Sequence, residues 1–287
     1  MPAAYTHLTF GLAVEKTFAG TPIAQIIKQH RELYLIGLHG PDILFYYKAL
    51  GQNPVNKQGN SMHFVSALPF FVKSRDVVNN ASDTDAALAY IYGFICHLAL
   101  DYACHSYVEH CIQVSGMGHT EIETYLDRSY LLKDGRNPLK HNVASHIAAT
   151  DYAGRIIAPF FTDVTPLQLT QSLKGMRMYN GLFLPSNPLK EGIVRLGMKI
   201  LGKYDSLSGL IMRHSSNAAT DRMVNKLQSL LEEAVPVAAD MITQYDLYRQ
   251  FQGELDARFD KHFSFYEELM AQYTEEDSYE KTNQTGA

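Results

Sequence analysis

Three polar side chains recur at intervals of four within the largely apolar segment 94–110. They are His97, Asp101 and His105. On an α-helix, a step of four residues rotates a side chain by about 40°, so the three occupy an arc of about 80° on one face. Imidazole and carboxylate groups are zinc ligands, and a buried polar group destabilises a fold by about 1–3 kcal/mol unless it is satisfied. The spacing therefore favours metal binding along one face of this helix.

A second pair with the same spacing follows downstream and predicts a second ion. The rise of the helix separates His97 from His105 by about 12 Å, so one ion would not bind both with Asp101 between them. Adjacent ions fit better, with Asp101 placed to reach two. His119 and Glu123 lie in GHTEIETYLD, after a short loop that lets their helix fold back on the first. Together with His105, this pair would form a His₂Glu site with room for water, the open pattern of catalytic zinc.

Three polar residues earlier in the chain also need partners. His7 lies at a helix start in YTHLTFG, Asp42 follows Gly40-Pro41 in a loop, and His63 lies beside an apolar run in SMHFVSALPFF. Taken singly, each is more often a satisfied or exposed side chain than a ligand, whereas the full ordered set is much more specific. The sequence contains no HExxH, GxSxG, P-loop or His-Asp signature, so the enzyme classes that carry those motifs are not supported.

The other residues of ligand type are predicted to lie outside the metal site. Seven histidines have no comparable context, although His39 is close to Asp42; they are His30, His39, His110, His141, His146, His214 and His262. The three cysteines share one predicted helix and are at least seven residues apart: Cys96, Cys104 and Cys111. Their Cα atoms would be about 10 Å apart or more, whereas a disulfide needs less than about 7 Å. We therefore expect buried free thiols, which fit the cytosol.

Helical periodicity dominates the chain and strand-like alternation is scarce, so we expect an all-α fold. Helices are predicted at 8–18, 22–34, 60–74, 84–113, 119–132, 141–156, 166–179, 190–203, 207–232 and 234–272, with Gly253 as the point where the last would break. The pattern predicts one multi-helix domain over 1–272, with the metal cluster in its helical core. Residues 273–287 are polar and are predicted to be a disordered tail.

Composition limits the classes of partner and location. Of the 287 residues, 46% are hydrophobic and 19% charged, which is typical of a globular chain. The net charge of −5 gives no support to a nucleic-acid partner. The sequence shows neither a signal peptide nor a run of 18 apolar residues, so we expect a soluble, cytoplasmic protein without a spanning helix.

One segment departs from the acidic balance of the chain. Residues 174–226 contain nine Lys or Arg and three acidic residues, a local charge of +6. One helical stripe within it is basic: Arg195, Lys199 and Lys203. A parallel stripe is apolar: Ile193, Leu196 and Ile200. An ordinary solvated helix face is one interpretation. Our prediction is the alternative, in which the basic stripe contacts an anionic substrate or an anionic membrane surface.

The order of the polar motifs resembles a known enzyme family. His7, Asp42 and His63, followed by HLALDYACH and HTEIE, resemble the zinc-dependent phospholipase C family of bacteria, which is related to the single-strand-specific zinc nucleases. The resemblance covers about residues 5–130. It implies an all-α enzyme that carries up to three zinc ions and hydrolyses phosphodiesters.

The resemblance also implies a ligand set. It assigns one zinc to His63, His97 and Asp101 with Asp42 beside it, a second to His105, His119 and Glu123, and a third to His7 and Asp101. It casts Asp42 as the general base or water-orienting carboxylate. Secreted members complete the third site with an N-terminal tryptophan, and this chain has no tryptophan, so two zinc ions are expected and the third site is less complete. The interval from Asp101 to His105 is also shorter here than in the secreted members, which bears on the metal spacing.

Phosphodiester chemistry explains why such residues would be needed. The substrate is anionic and repels hydroxide, whereas metal ions neutralise it and lower the pKa of water toward about 7, and a carboxylate such as Asp42 takes the proton. We therefore expect a zinc-dependent phosphodiesterase of the phospholipase C type that acts on a phosphodiester or phospholipid head group. Two alternatives stay open. One is a nuclease or nucleotide phosphatase; the other is a non-catalytic protein whose ions hold helices together, with four protein ligands per ion.

Overall fold

The computed structural model describes residues 4–251 and 253–274, and every regular element within those ranges is a helix. The prediction of an all-α fold is confirmed. The α-helices of the first half are α1 (Ala4–Thr17), α2 (Pro22–Gln29), α3 (Arg31–Gly37), α4 (Pro54–Met62), α5 (Leu68–Asn79), α6 (Thr84–Ser115) and α7 (His119–Lys133). Those of the second half are α8 (Asp151–Ile157), α9 (Pro166–Leu182), α10 (Pro188–Ile200), α11 (Tyr204–Leu207), α12 (Ala218–Phe251) and α13 (Glu267–Met270). Short 3₁₀ turns cover Gly40–Tyr46, Ala158–Phe160, Ser208–Leu210 and Ala257–Phe259.

Helix α6 forms the centre of the core. The Asp83 side chain caps its first turn by accepting a hydrogen bond from the Ala86 N–H at 3.0 Å, and Gly116 ends it in a left-handed conformation with φ +72°. Its length and composition would allow it to cross a bilayer, but 89% of its most apolar stretch is buried inside the protein. Such burial is typical of a core helix.

Two glycines bring α3 against α6 almost backbone to backbone. A Cβ atom on Gly37 would lie 2.1 Å from the carbonyl oxygen of Tyr90, and one on Gly93 would lie 2.2 Å from that of Tyr34. No side chain fits at either position, so both glycines are needed for this contact. The close approach brings the segment that follows α3, with His39 and Asp42, next to the polar face of α6.

The first turn of α1 is held by a carboxylate from α7. Asp127 accepts hydrogen bonds from the Thr6 N–H at 2.7 Å and the Thr6 hydroxyl at 2.8 Å, and its other oxygen accepts from the Tyr5 N–H at 3.3 Å. Burial raises the pKa of Asp127 to about 7, although these hydrogen bonds oppose the shift. The contact fixes the first turn of α1 and therefore the position of His7.

Several predicted boundaries differ from those observed. The predicted helix over 22–34 is broken at His30, which has φ −114° and ψ 39°, and the predicted helix over 141–156 begins only at Asp151. The predicted separation between 207–232 and 234–272 is wrong, because α12 continues through Pro236. Buried residues on both sides of the proline, including Leu231 and Ala238, keep the helix packed despite the missing hydrogen bond.

The segment after α12 folds back on the core. Phe259 and Phe263 are buried, and the Tyr273 ring contacts the Tyr107 ring on α6 at a centroid distance of 4.9 Å. The predicted disordered tail, 273–287, lies outside the described residues from position 275 onward. The segment 253–274 therefore belongs to the packed part of the molecule.

Candidate metal centre

All eight residues predicted as ligands meet around the second half of α6. They form three groups in which the ligand atoms lie within 4.8 Å of one another. The groups are His7, His97 and Asp101; Asp42, His63 and His97; and His105, His119 and Glu123. The ligand atoms come from α1, the 3₁₀ turn after α3, the end of α4, α6 and α7. The structure therefore brings together residues that are far apart in the sequence, as the ordered set predicted.

Asp101 lies between three of the histidines. Its Oδ1 atom is 3.4 Å from His7 Nε2 and 3.8 Å from His105 Nε2, and its Oδ2 atom is 3.2 Å from His97 Nε2. Burial alone would raise the pKa of this carboxyl, but the imidazoles of His105 and His97 bring it well below its usual value. Asp101 is therefore an ionised, buried carboxylate, and each of the three imidazoles has one of its oxygens nearby.

The second group depends on a glycine that a side chain could not replace. Gly40 has φ +45°, and a Cβ atom there would lie 2.2 Å from His97 Cδ2. The turn that Gly40 begins directs Asp42 inward, where its Oδ1 atom lies 2.9 Å from His63 Nε2. Burial raises the pKa of Asp42, but the hydrogen bond from His63 and the neighbouring His97 contribute to a net shift well below the usual range. This carboxyl is therefore also ionised.

The third group is the most open of the three. Glu123 Oε1 lies 3.2 Å from His119 Nε2 and 3.6 Å from His105 Nε2. The Glu123 side chain is buried, whereas that of His119 is 40% exposed. Burial would raise the pKa of Glu123, but the charge of His119 and the hydrogen bonds from His105 and His119 contribute to a net decrease. The group combines one buried carboxylate with a side that is open to solvent.

Backbone carbonyl groups fix the tautomer of three histidines, His63, His97 and His105. The Nδ1 atom of each faces a carbonyl oxygen, which only accepts, so each Nδ1 donates. The acceptors are Gly59 at 2.8 Å, Leu38 at 3.2 Å and Phe263. When these imidazoles are neutral, each Nε2 keeps a lone pair that faces a carboxylate oxygen. Two acceptors in contact need a proton or a cation between them, and metal-binding histidines are commonly held in this way.

The protonation pattern also fits a cation. Burial, together with the charge of His97, lowers the pKa of His7 to about 4. Burial acts in the same direction on His105, but Asp101 and Glu123 outweigh it and raise its pKa to about 9. Within the described part of the chain, His7 Nδ1 and His97 Nε2 are buried without a hydrogen-bond partner. Ionised carboxylates beside unsatisfied imidazole nitrogens match the donor set of zinc.

A cleft of about 370 Å³ leads to the groups. Ligand residues from all three groups line it, among them His7, Asp42, His63, Asp101, His119 and Glu123. Its remaining walls are rich in aromatic side chains: Phe45, Phe64, Phe263 and Phe265. A substrate in this cleft would meet both the polar groups and aromatic rings, and two of these rings, Phe45 and Phe263, pack beside His63.

Two features of the site were missed by sequence reasoning. His39 Nε2 lies 2.8 Å from His146 Nε2, and the His39 ring lies 6.1 Å from that of His7. Burial lowers the pKa of His39 well below its usual value and that of His146 to about 3, so both are neutral and one donates to the other. The position of His39 in HGPD was the one available signal. The contact between the Phe263 carbonyl and His105 had no signal, because a backbone acceptor carries no side-chain information.

The fold and site define a class of protein: helical, with several His and carboxylate groups clustered at one cleft. Comparison with known families makes this more specific. Residues 6–168, more than half of the chain, match the family described as zinc dependent phospholipase C. The chain belongs to the zinc-dependent phospholipase C family, which supports a phospholipase-type hydrolase. Neither a curated protein nor a solved structure matches the chain.

Proposed function

We propose that this protein is a zinc-dependent phosphodiester hydrolase of the phospholipase C type, with water as the nucleophile. The observation that carries the proposal is the set of histidine Nε2 atoms that face ionised carboxylates across three groups at one cleft. Family membership supports the hydrolase class and the metal.

The residues present fit two zinc ions well and a third less completely. The resemblance assigns one ion to His63, His97 and Asp101 with Asp42 beside them, whereas in the structure the ligand atoms of Asp42, His63 and His97 lie together. His105, His119 and Glu123 would hold a second. His7 and Asp101 are the remaining candidates for a third. Asp101 would serve two ions, since a different oxygen of its carboxylate faces each side.

When bound, zinc supplies the Lewis acidity that lowers the pKa of water and neutralises the charge of the phosphodiester. The chain supplies the orientation and the proton acceptor. Asp42 is ionised and lines the cleft, so it is placed to accept the proton of the attacking water. Gly59, Leu38 and Phe263 hold the imidazoles in the required tautomer through their carbonyl groups.

The cleft walls support a phospholipid head group as the substrate. Phe64 is 65% exposed and belongs to the cleft lining, and Val65 beside it is 56% exposed. Apolar side chains at the mouth suit the glycerol and acyl part of a lipid. A nucleic acid, the substrate in the nuclease alternative, is polyanionic and would be repelled by a chain of net charge −5. The exposure of His119 leaves room for water, which a purely structural site would not need.

The proposal is tested by metal analysis and a substrate panel. Purified protein should contain about two zinc ions per chain and hydrolyse phospholipids or nitrophenyl phosphocholine, with activity lost on chelation and restored by zinc. Nucleotides and single-stranded DNA in the same panel test the nuclease alternative. Bound metal without turnover of any phosphodiester would favour the structural alternative and overturn the proposal.

We also propose a cytoplasmic location. Three buried cysteines support it: Cys96, Cys104 and Cys111 are free thiols. Cell fractionation with markers for each compartment tests this, and recovery of the protein in the secreted fraction would contradict it.

A further inference from the structure

Helix α10 presents an apolar stripe to solvent. Four of its side chains are between 59 and 76% exposed: Leu189, Ile193, Leu196 and Ile200. At 3.6 residues per turn they fall within an arc of about 60°. Met198, on the opposite side of the helix, is buried against the protein. The helix therefore packs through one side and turns a continuous row of large aliphatic side chains outward.

Basic side chains accompany this stripe. Residues 188–203 contain four cations and one acid, a charge of +3 on a chain of net charge −5. The cations are Lys190, Arg195, Lys199 and Lys203. Helical geometry places Lys190 and Lys199 about 90° to either side of the stripe. An exposed apolar row with cations beside it is the pattern of a helix that lies in a membrane interface.

The predicted basic stripe is shorter than expected, because α10 ends at Ile200 and Lys203 lies beyond it. The Arg195 guanidinium donates to Glu191 Oε1 at 2.9 Å and to the Tyr204 hydroxyl at 3.1 Å, so its charge is partly compensated. The Lys199 ammonium lies over the Tyr204 ring, 5.2 Å from its centroid. The Lys199 side chain is exposed. A contact between α10 and anionic lipid would therefore depend more on Lys199 than on Arg195.

Helix α10 is linked to the helix that carries the third metal group. Glu191 Oε2 lies 2.9 Å from His214 Nε2, and Arg213 beside it lies 2.6 Å from Glu121 Oε1. Glu121 lies on α7 between His119 and Glu123. A hydrogen bond, between His214 and Glu191, and an ion pair, between Arg213 and Glu121, therefore connect the amphipathic helix with a ligand-bearing helix.

We propose that α10 docks the protein on an anionic phospholipid bilayer, with its apolar stripe inserted at the interface and Lys199 near the head groups. The proposal deepens the proposed function, on which it rests for the identity of the lipid substrate. A second copy of the chain fits this surface less well, because two such helices packed through their stripes would bring their flanking cations together. A bilayer complements the apolar row and the charge at once.

The test is co-sedimentation of the metal-loaded protein with vesicles, at low and high salt. One set contains phosphatidylcholine with one third phosphatidylglycerol, and the other contains phosphatidylcholine alone. Ile193→Ser with Ile200→Ser should weaken binding to the anionic vesicles at least tenfold. Lys199→Gln should weaken it several-fold on anionic vesicles only and reduce its salt dependence. Leu167→Ser is the matched control, since Leu167 is 64% exposed at the start of α9, and it should bind like the natural protein.

The outcomes separate this proposal from the proposed function. Hydrolysis of soluble nitrophenyl phosphocholine should be unchanged in the Ile193/Ile200 double variant, because both side chains lie outside the cleft lining. If the Ile193/Ile200 and Lys199 variants both sediment like the natural protein, or if the natural protein does not bind, the proposed docking surface is refuted, whereas the proposed hydrolase function is not. A dimer that the double variant dissociates, found by analytical ultracentrifugation, would also overturn it. Vesicle binding without hydrolysis of any phosphodiester would refute the proposed function instead.

Discussion

The Oδ1 atom of Asp42 lies 2.9 Å from the Nε2 atom of His63. The other nitrogen of this imidazole donates to the Gly59 carbonyl at 2.8 Å, so a neutral His63 turns its lone pair toward the carboxylate. Asp101, in contrast, faces three imidazoles, those of His7, His97 and His105. The two carboxylates therefore offer a direct comparison between a proposed base and a proposed bridging ligand.

The first prediction concerns these two carboxylates. Asp101→Asn should reduce zinc content and activity together, because it removes the buried negative charge that faces His7, His97 and His105. Asp42→Asn should keep most of the zinc while kcat falls by about 10²–10⁴-fold, the range associated with the loss of a general base. Metal analysis and kinetics on the same preparations make the measurement. Equal loss of zinc in both variants would make Asp42 another ligand and leave the base unassigned.

The second prediction concerns proton release when metal binds. The pKa of His105 in the metal-free protein is about 9, so at pH 7 an ion must displace its proton. The zinc affinity of the group formed by His105, His119 and Glu123 should therefore rise about tenfold per pH unit between pH 7 and 9 and then level off. Calorimetry in two buffers of different ionisation enthalpy measures the released proton. A pH-independent affinity would show that His105 is not a ligand.

The same shift sets a stability trend in the metal-free protein. A histidine whose pKa is raised on folding, here from 6.5 to about 9, stabilises the fold below pH 6.5, and this contribution is lost as the pH rises through 9. The free energy of unfolding, measured with urea in the presence of a chelator, should therefore decrease between pH 6.5 and 9. The variant His105→Asn should show a smaller decrease. If both proteins follow the same curve, His105 does not cause it.

The third prediction concerns the glycine beside His97. Gly40→Ala places a Cβ atom 2.2 Å from the His97 ring, so the imidazole must move and two groups lose a shared member. Zinc content should fall by at least half. Gly20→Ala is the matched control: Gly20 also has a positive φ, +83°, but nothing lies within 4 Å of its added Cβ. That variant should lose about 1–2 kcal/mol of stability and retain its zinc. Similar zinc loss in both variants would point to general destabilisation.

The fourth prediction concerns the carboxylate that holds the first turn of α1. Burial raises the pKa of Asp127 from 3.8 to about 7, so the folded state binds a proton more tightly than the unfolded state. The free energy of unfolding should therefore fall as the pH rises from about 4 to 7, by at most about 1.4 kcal/mol per pH unit. Asp127→Asn cannot titrate and should lack this component. Unfolding curves of both metal-free proteins at several pH values test it, and identical slopes would contradict it.

The part of the site that was predictable is the part carried by helix periodicity. Spacings of four placed His97, Asp101 and His105 on one face, and His119 with Glu123 on another helix, and the structure brings these five together. Their assignment as zinc ligands, and that of Asp42 as base, stay predictions.

The parts that sequence could not supply depend on tertiary packing. Periodicity alone did not reveal the break at His30, and buried contacts on both sides override Pro236 in α12. The His39–His146 contact joins positions 107 residues apart, with no pattern to link them. Such pairings arise only when the helices dock.

The Phe263 carbonyl has a consequence for the order of events during synthesis. All eight candidate ligands lie within the matched range 6–168, so they leave the ribosome while more than a hundred residues remain to be added. The acceptor that sets the His105 tautomer comes only after α12 has been made and the chain has folded back. A nascent chain can thus contain every candidate ligand before the Phe263 carbonyl has oriented His105. Metal that binds His105 during translation therefore meets a less ordered site than metal that arrives after the chain is released.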